Sequence, residues 1–195
     1  MCGIAGLFAR DPGASIDRTI LTRMRDAMTH RGPDGQGLWH SEGVGLAHRR
    51  LSVIDVEGSP QPMHSPDGRA VIVFNGEIYN YRELRRELLG LGHRFRTEGD
   101  TEVILAAWRE WGPECLARLD GMFAFAIHDS TSRKLFLARD RFGVKPLFTA
   151  TLPDGTFAFA SELKGLLAHP QVERKVDPLA IEDYFAWGYV PDHRS

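Results

Sequence analysis

The chain has 195 residues, 43% hydrophobic and 26% charged, with a formal net charge of −2 at pH 7, enough for one domain or one domain with part of the next. That balance gives no electrostatic case for nucleic acid or an anionic membrane, and it directs attention to a small-molecule site. The first apolar stretch is short, lacks a basic leader and is broken by Arg10 and Asp11, so neither a signal peptide nor a membrane span is expected.

In chain order, residues 3 to 8 read as a buried strand. Ile16 to Met28 reads as a helix, with Ile20, Leu21, Met24 and Met28 at helical spacing. His30 to Gly35 punctuates as a loop. Two short strands follow near Gly37 to His40 and Val44 to Ala47, joined through Glu42-Gly43 as a hairpin. Val71 to Phe74 is a continuous apolar run, a strand covered on both faces, which leads into a turn at Asn75-Gly76.

Asn80 reads as a helix cap with Glu83 reaching back, ahead of Tyr81, Leu84, Leu88 and Leu91 on one face. Thr101 starts another helix, its apolar side carrying Ile104, Leu105, Trp108 and Trp111. Met122 to Ile127 and Leu135 to Ala138 read as paired strands around the turn Asp129 to Lys134. Phe157 to Ala160 is a further strand, and Ser161-Glu162 opens a helix through Leu167. Strands apolar on both faces beside helices apolar on one imply packed sheets with helices outside. From Asp177 an aromatic helix begins that has no core of its own, which fits either the start of a following domain or a patch docked on the first.

Two cysteines, Cys2 and Cys115, make no disulfide framework, so a reducing cytoplasm is the expected location. Cys115 reads as core. Cys2 follows Met1 directly, and removal of one methionine would make it the amino terminus. Its α-amine then lies beside its thiol, with reference pKa values of about 7.7–8.0 and about 8.5, so a single residue can act as both base and nucleophile. Taken alone, a Met-Cys start reads equally as a small residue opening a strand.

A thiol attacking a carbonyl needs donors aimed at the oxyanion. Asn75-Gly76 offers a side-chain amide and a backbone N–H that a glycine leaves accessible. Read alone, the same dipeptide is a tight turn. Arg49 or Arg50 can fork onto a carboxylate, and Asp100, near a helix start, can receive an ammonium or serve as a cap. Sequence alone does not choose between the two arginines. The eight histidines show no paired metal spacing, so no metal is expected.

Together, Cys2-Gly3-Ile4, His30-Arg31-Gly32-Pro33-Asp34-Gly35, His48-Arg49-Arg50-Leu51-Ser52, Asn75-Gly76-Glu77-Ile78-Tyr79-Asn80, Gly121-Met122-Phe123-Ala124-Phe125 and Arg139 to Leu147 resemble the glutaminase domain of glutamine-hydrolysing asparagine synthetases. The resemblance runs from residue 2 to about residue 168, in the family's order. It implies an α+β fold of the N-terminal nucleophile hydrolase type, a four-layer αββα sandwich with two mainly antiparallel sheets between helices.

Carried over by position, Cys2 matches the nucleophile and Asn75 with Gly76 the oxyanion hole. Arg50 matches the binder of the glutamine α-carboxylate and Asp100 that of the α-ammonium. Val53 and the Gly76-Glu77 segment complete the pocket. Arg31, Asp34, Arg139, Asp140 and Lys145 are expected to brace loops through buried ion pairs and caps.

The resemblance implies hydrolysis of L-glutamine to L-glutamate and ammonia, with no cofactor in this domain. Residues 1–168 would form the glutaminase and residues 169–195 a linker and the start of a synthetase domain, which would use ATP and magnesium and lacks its Ser-Gly-Gly phosphate loop here. That synthetase domain and a homodimer are the partners the resemblance allows. Asp177 to Ser195 also resembles the branch of asparagine synthetase-like proteins associated with surface polysaccharide and exosortase gene clusters, whose acceptors the resemblance does not fix. A silent regulatory module of the same fold, and an amidotransferase with another ammonia acceptor, stand as alternatives.

Overall fold

The computed structural model describes residues 1–53, 55, 58–191 and 194. Asp192, His193 and Ser195, at the end of the expected linker, lie outside the described residues, as do Ile54, Val56 and Glu57.

Among the described residues nine strands form two sheets. The first has the order β2 (Gly35–Ser41), β3 (Val44–Arg50), β1 (Gly3–Phe8), β9 (Phe157–Ala160), β8 (Phe148–Thr151). The second has the order β4 (Met63–His64), β5 (Ala70–Ile78), β6 (Gly121–Asp129), β7 (Lys134–Arg139). Every ladder between these strands is antiparallel.

Side-chain alternation sorts the core into three layers. Ile4 of β1, Val44 and Leu46 of β3, Val71 and Val73 of β5, and Ala124 and Ala126 of β6 pack between the two sheets. Ala5 and Leu7 turn the other way, onto α1 (Arg18–Asp26) and α4 (Leu163–Leu167) through Leu21, Met24, Met28 and Leu166. Ile72 and Phe74 turn outward to α2 (Tyr81–Gly90) and α3 (Asp100–Trp111), meeting Leu84, Leu88, Val103 and Ile104. The expected αββα sandwich is the observed one, and Cys115 is buried in its outer layer.

Two local expectations are corrected. Asn75-Gly76 is no turn: β5 runs through to Ile78, because Ala124 and Phe123 of β6 stand opposite Asn75 and Gly76 in the ladder. Gly76 is needed for close approach, since a Cβ there would strike the Met122 carbonyl and the Phe74 ring. Asn80 does stand at the cap position of α2, but its side chain makes no cap bond. It bridges instead to the Arg118 carbonyl and the Asp120 N–H, at 2.9 and 3.0 Å, tying α2 to the strand that pairs with β5.

Three elements gave no sequence signal: β4, β8 and a 3-10 helix at Gly112–Arg118. The first two are short edge strands with mixed exposure. The aromatic helix α5 (Pro178–Trp187) starts as expected, with the Asp177 carboxylate accepting the Leu179 N–H at 2.9 Å. It buries none of its residues, and Tyr184, Phe185 and Trp187 are exposed.

Candidate active site

The register brings Cys2 and Arg50 together. Gly3 pairs with Arg49 and Ile4 with His48, so one step further along the ladder places Cys2 opposite Arg50. The Cys2 thiol is half-buried, lying 3.4 Å from the Leu51 N–H, which donates to it, and 3.5 Å from the Leu51 carbonyl, to which it can donate. Burial pushes the thiol up, partly offset by the Leu51 amide and by the positive charges of the N-terminus, Arg50 and Arg31. Left to itself, this thiol stays protonated.

Arg31 is closer to the chemistry than a loop brace. Its Nε donates to the Cys2 carbonyl at 2.8 Å, and its Nη1 donates to Glu162 at 2.9 Å. Burial opposes ionisation of Glu162, but bonds from Arg31, His30 and Lys164 overcome it and bring that carboxyl down to about 2. Asp34 and Asp140 do brace loops, though by accepting backbone N–H groups rather than in ion pairs. Asp34 takes Ser52 at 2.8 Å, and Asp140 takes Phe123, Phe142, Val144 and Lys145. Arg139 donates to the carbonyls of Gly143 and Lys145.

The second sheet contributes the donors. Because β4 pairs only with Val71 and Ile72, the outer edge of β5 has no strand beside it beyond that point among the described residues. Even-numbered residues of β5 point their N–H groups to this edge, the odd-numbered ones to β6. The Phe74 N–H is taken by Gln61 Oε1 at 2.6 Å and the Ile78 N–H by Asp100 Oδ2 at 3.0 Å. The Gly76 N–H lies on the same edge between them, and no described residue takes it. Beside it Asn75 is 1% exposed, and its Nδ2 has no hydrogen-bond partner among the described residues. A buried amide left unpaired costs about 1–3 kcal/mol, so a pair of unused donors at one point needs a functional reason.

A cavity of about 180 Å³ joins the two sheets' contributions. Cys2, Arg50, Val53, Asn75, Gly76, Glu77 and Asp100, the residues singled out from sequence, all line it. Drug-sized ligands occupy pockets of about 300–1,000 Å³, so this volume suits one amino acid rather than a nucleotide. A larger open groove of about 1150 Å³ runs past Trp108, Arg109 and Phe136 and includes none of these residues.

Asp100 stands at the start of α3, and burial pushes its carboxyl up to about 6, helped by the Glu77 charge and opposed by the amides of Ile78, Asp100 and Thr101. Arg50 donates to the Asp55 carbonyl at 2.6 Å while its side chain lines the cavity. Arg49 points elsewhere, bonding Gln36 and Thr29. That settles which of the two arginines faces the cavity. Gln61 also lines it and went unnoticed in the sequence, where Ser59-Pro60-Gln61-Pro62 carries only loop signals. Among the described residues no cluster of His, Cys, Asp or Glu could hold a metal ion, and no helix is long and apolar enough to cross a membrane.

The model of the glutamine amidotransferase domain matches residues 1–195, the whole chain. The chain belongs to the glutamine amidotransferase domain family. Among curated relatives, asparagine synthetase (glutamine-hydrolysing) 1 of Bacillus subtilis is 43% identical over 98% of this chain. Asparagine synthetase B (glutamine-hydrolysing) of Escherichia coli is 41% identical over 86% of it. This amidotransferase domain spans only 30% of the length of each. A solved structure of glutamine phosphoribosylpyrophosphate amidotransferase from B. subtilis shares the fold with a TM-score of 0.70 at 21% identity, over 86% of this chain and 43% of that one.

Proposed function

We propose that this amidotransferase domain hydrolyses the side-chain amide of L-glutamine through a thioester on Cys2. The observation that carries the reading is the convergence of two unused donors, Asn75 Nδ2 and the Gly76 N–H, on a cavity of amino-acid size that holds the Cys2 thiol. With Met1 removed, the Cys2 α-amine takes the thiol proton and the thiolate attacks the amide carbon. The oxyanion settles on Asn75 and Gly76. The amine returns the proton to the departing nitrogen, which leaves as ammonia. Water then attacks the thioester, its proton going to the amine, and glutamate leaves as the thiol reforms. Arg50 holds the α-carboxylate and Asp100 the α-ammonium.

Incubating the mature protein with a diazo-ketone analogue of glutamine is expected to block glutamate release and add one adduct at Cys2, read by intact and peptide mass. Labelling elsewhere, or none, would sink the reading.

The pH profile supplies an independent check. Protonation of the Cys2 α-amine already lowers activity as pH falls below its ordinary value of about 7.7–8.0. Asp100 binds an ammonium only when ionised, and its carboxyl sits at about 6 in the free protein, so the fall of kcat/KM for glutamine is expected to steepen below that point by a further factor of about ten per pH unit. A bound ammonium favours the carboxylate and lowers its pKa, so this second step should lie further into acid in kcat. Asp100→Asn is expected to remove the second step, keep the amine's, and lower kcat/KM at neutral pH. A second step that persists in Asp100→Asn would assign it to another group.

The relatives' names, and their greater length, support a second proposal: the ammonia is consumed by an ATP-dependent synthetase domain of the same protein, with aspartate as the acceptor. ATP and magnesium would belong to that domain. The exposed aromatics of α5 are consistent with a segment that packs against it.

A further inference from the structure

Phe74, the residue before the oxyanion pair, has both of its backbone polar groups held by side chains. Its N–H donates to Gln61 Oε1 at 2.6 Å, and its carbonyl lies 3.1 Å from His48 Nε2. A carbonyl only accepts, so Nε2 carries the proton and donates. His48 is 1% exposed, and its Nδ1 has no partner among the described residues. Burial pushes the ring down to about 4, against the pull of the Phe74 bond, so it stays neutral at physiological pH.

These two side chains reach Phe74 from different parts of the fold. His48 stands on β3, opposite Ile4 in the ladder that ends at Cys2. Its bond crosses from the sheet of the nucleophile to the strand of the oxyanion donors. Gln61 reaches from the segment before β4, and its Nε2 donates to Thr101 Oγ1 at 3.3 Å, next to Asp100 on α3. Among the described residues no strand pairs with β5 at this point, so the two side chains stand in for the backbone partner that the Phe74 peptide lacks on that side.

We propose that His48 and Gln61 are positioning residues that clamp the Phe74 peptide and so set the placement of Asn75 Nδ2 and the Gly76 N–H against the Cys2 thiol. The proposal rests on the thioester reading and deepens it. Neither residue touches the reacting atoms. Their effect is confined to where the oxyanion donors stand.

The test compares Gln61→Met, Gln61→Glu, His48→Leu and His48→Gln in the protein with Met1 removed. Misplacement by about 1 Å can cost on the order of 10²-fold, so Gln61→Met and His48→Leu are expected to lower kcat by about 10- to 100-fold, with KM changed by less than about threefold. Gln61→Glu keeps an acceptor for the Phe74 N–H and His48→Gln keeps a donor for its carbonyl, so each is expected to recover most of the loss. The decisive readout is binding of a γ-aldehyde analogue of glutamate, whose adduct with Cys2 places an oxyanion on the two donors. Its affinity is expected to fall by the same factor as kcat/KM, while the affinity for glutamate stays unchanged.

Equal losses for the aldehyde and for glutamate would mean general damage to the pocket and would overturn the clamp, as would unchanged kcat. Gln61 lines the cavity rather than the core, so if His48→Leu fails to fold, the Gln61 pair decides alone. A wild type that releases no glutamate would refute the thioester reading itself. A wild type that is active and silenced by Cys2→Ala, with both clamp variants unaffected, would remove only the clamp.

Discussion

Cys2→Ala is expected to abolish glutamate release from glutamine, and the wild-type chain with Met1 still attached is expected to be equally silent. Loss of the nucleophile in a hydrolase that works through a covalent intermediate typically costs at least about 10⁴-fold in kcat. The second half of the prediction follows from the thiol's surroundings. Burial pushes Cys2 up, and the groups that counter it, the Leu51 N–H and the charges of the N-terminus, Arg50 and Arg31, leave it above its ordinary value. A neighbouring base is therefore required, and a free α-amine on the same residue supplies one. While Met1 is attached, that nitrogen is a peptide amide with no basic lone pair. Met1 also lines the cavity, its sulfur 3.4 Å from Lys145 Nζ, so it occupies space next to the thiol. Intact mass on each sample, with glutamate release assayed in parallel, checks both halves. Turnover by Cys2→Ala would end the mechanism, and turnover with Met1 in place would end the role of the amine.

The layer arrangement was legible because it rests on periodicity. Val71 to Phe74 is apolar at every position since β5 is covered on both faces, and α3 carries its apolar residues toward that sheet. The identities of the site residues were legible only through the family resemblance that their motifs carry together: each of Cys2, Arg50, Asn75 and Asp100 has an ordinary structural reading by itself. What local signals could not carry was tertiary. Asn75-Gly76 reads as a turn because that dipeptide tolerates one, and only pairing with Ala124 and Phe123 keeps it extended. The choice of Arg50 over Arg49 depends on β3 alternation, which turns one to the cavity and the other toward Gln36. The Arg31 bond to the Cys2 carbonyl spans 29 positions, and the Gln61 bond to Phe74 is made by a residue in a stretch with no regular pattern. Long-range polar contacts of this kind leave no trace in hydrophobic patterning.

Asn75→Ala is expected to separate catalysis from stability. Removing one oxyanion donor typically costs about 10²- to 10³-fold in rate, so kcat is expected to fall by that factor. KM for glutamine should change little, because the donor meets full negative charge only in the transition state. Arg50→Ala is expected to do the reverse, raising KM through loss of the α-carboxylate contact while leaving kcat closer to wild type. The stability side follows from the unpaired Nδ2. In most buried asparagines the change to alanine strands a partner, but here no described residue accepts from Nδ2. The mutation therefore strands no described acceptor and leaves only the small void of an alanine at a cavity wall. The melting temperature of Asn75→Ala is thus expected to stay within a few degrees of wild type while activity collapses. Asn75→Asp, equal in size but with an acceptor in place of the donor, should lose at least as much kcat and also stability, since it buries a carboxyl. A large fall in melting temperature for Asn75→Ala would mean the side chain is a structural brace. The oxyanion would then have to rest on the Gly76 N–H and some other donor.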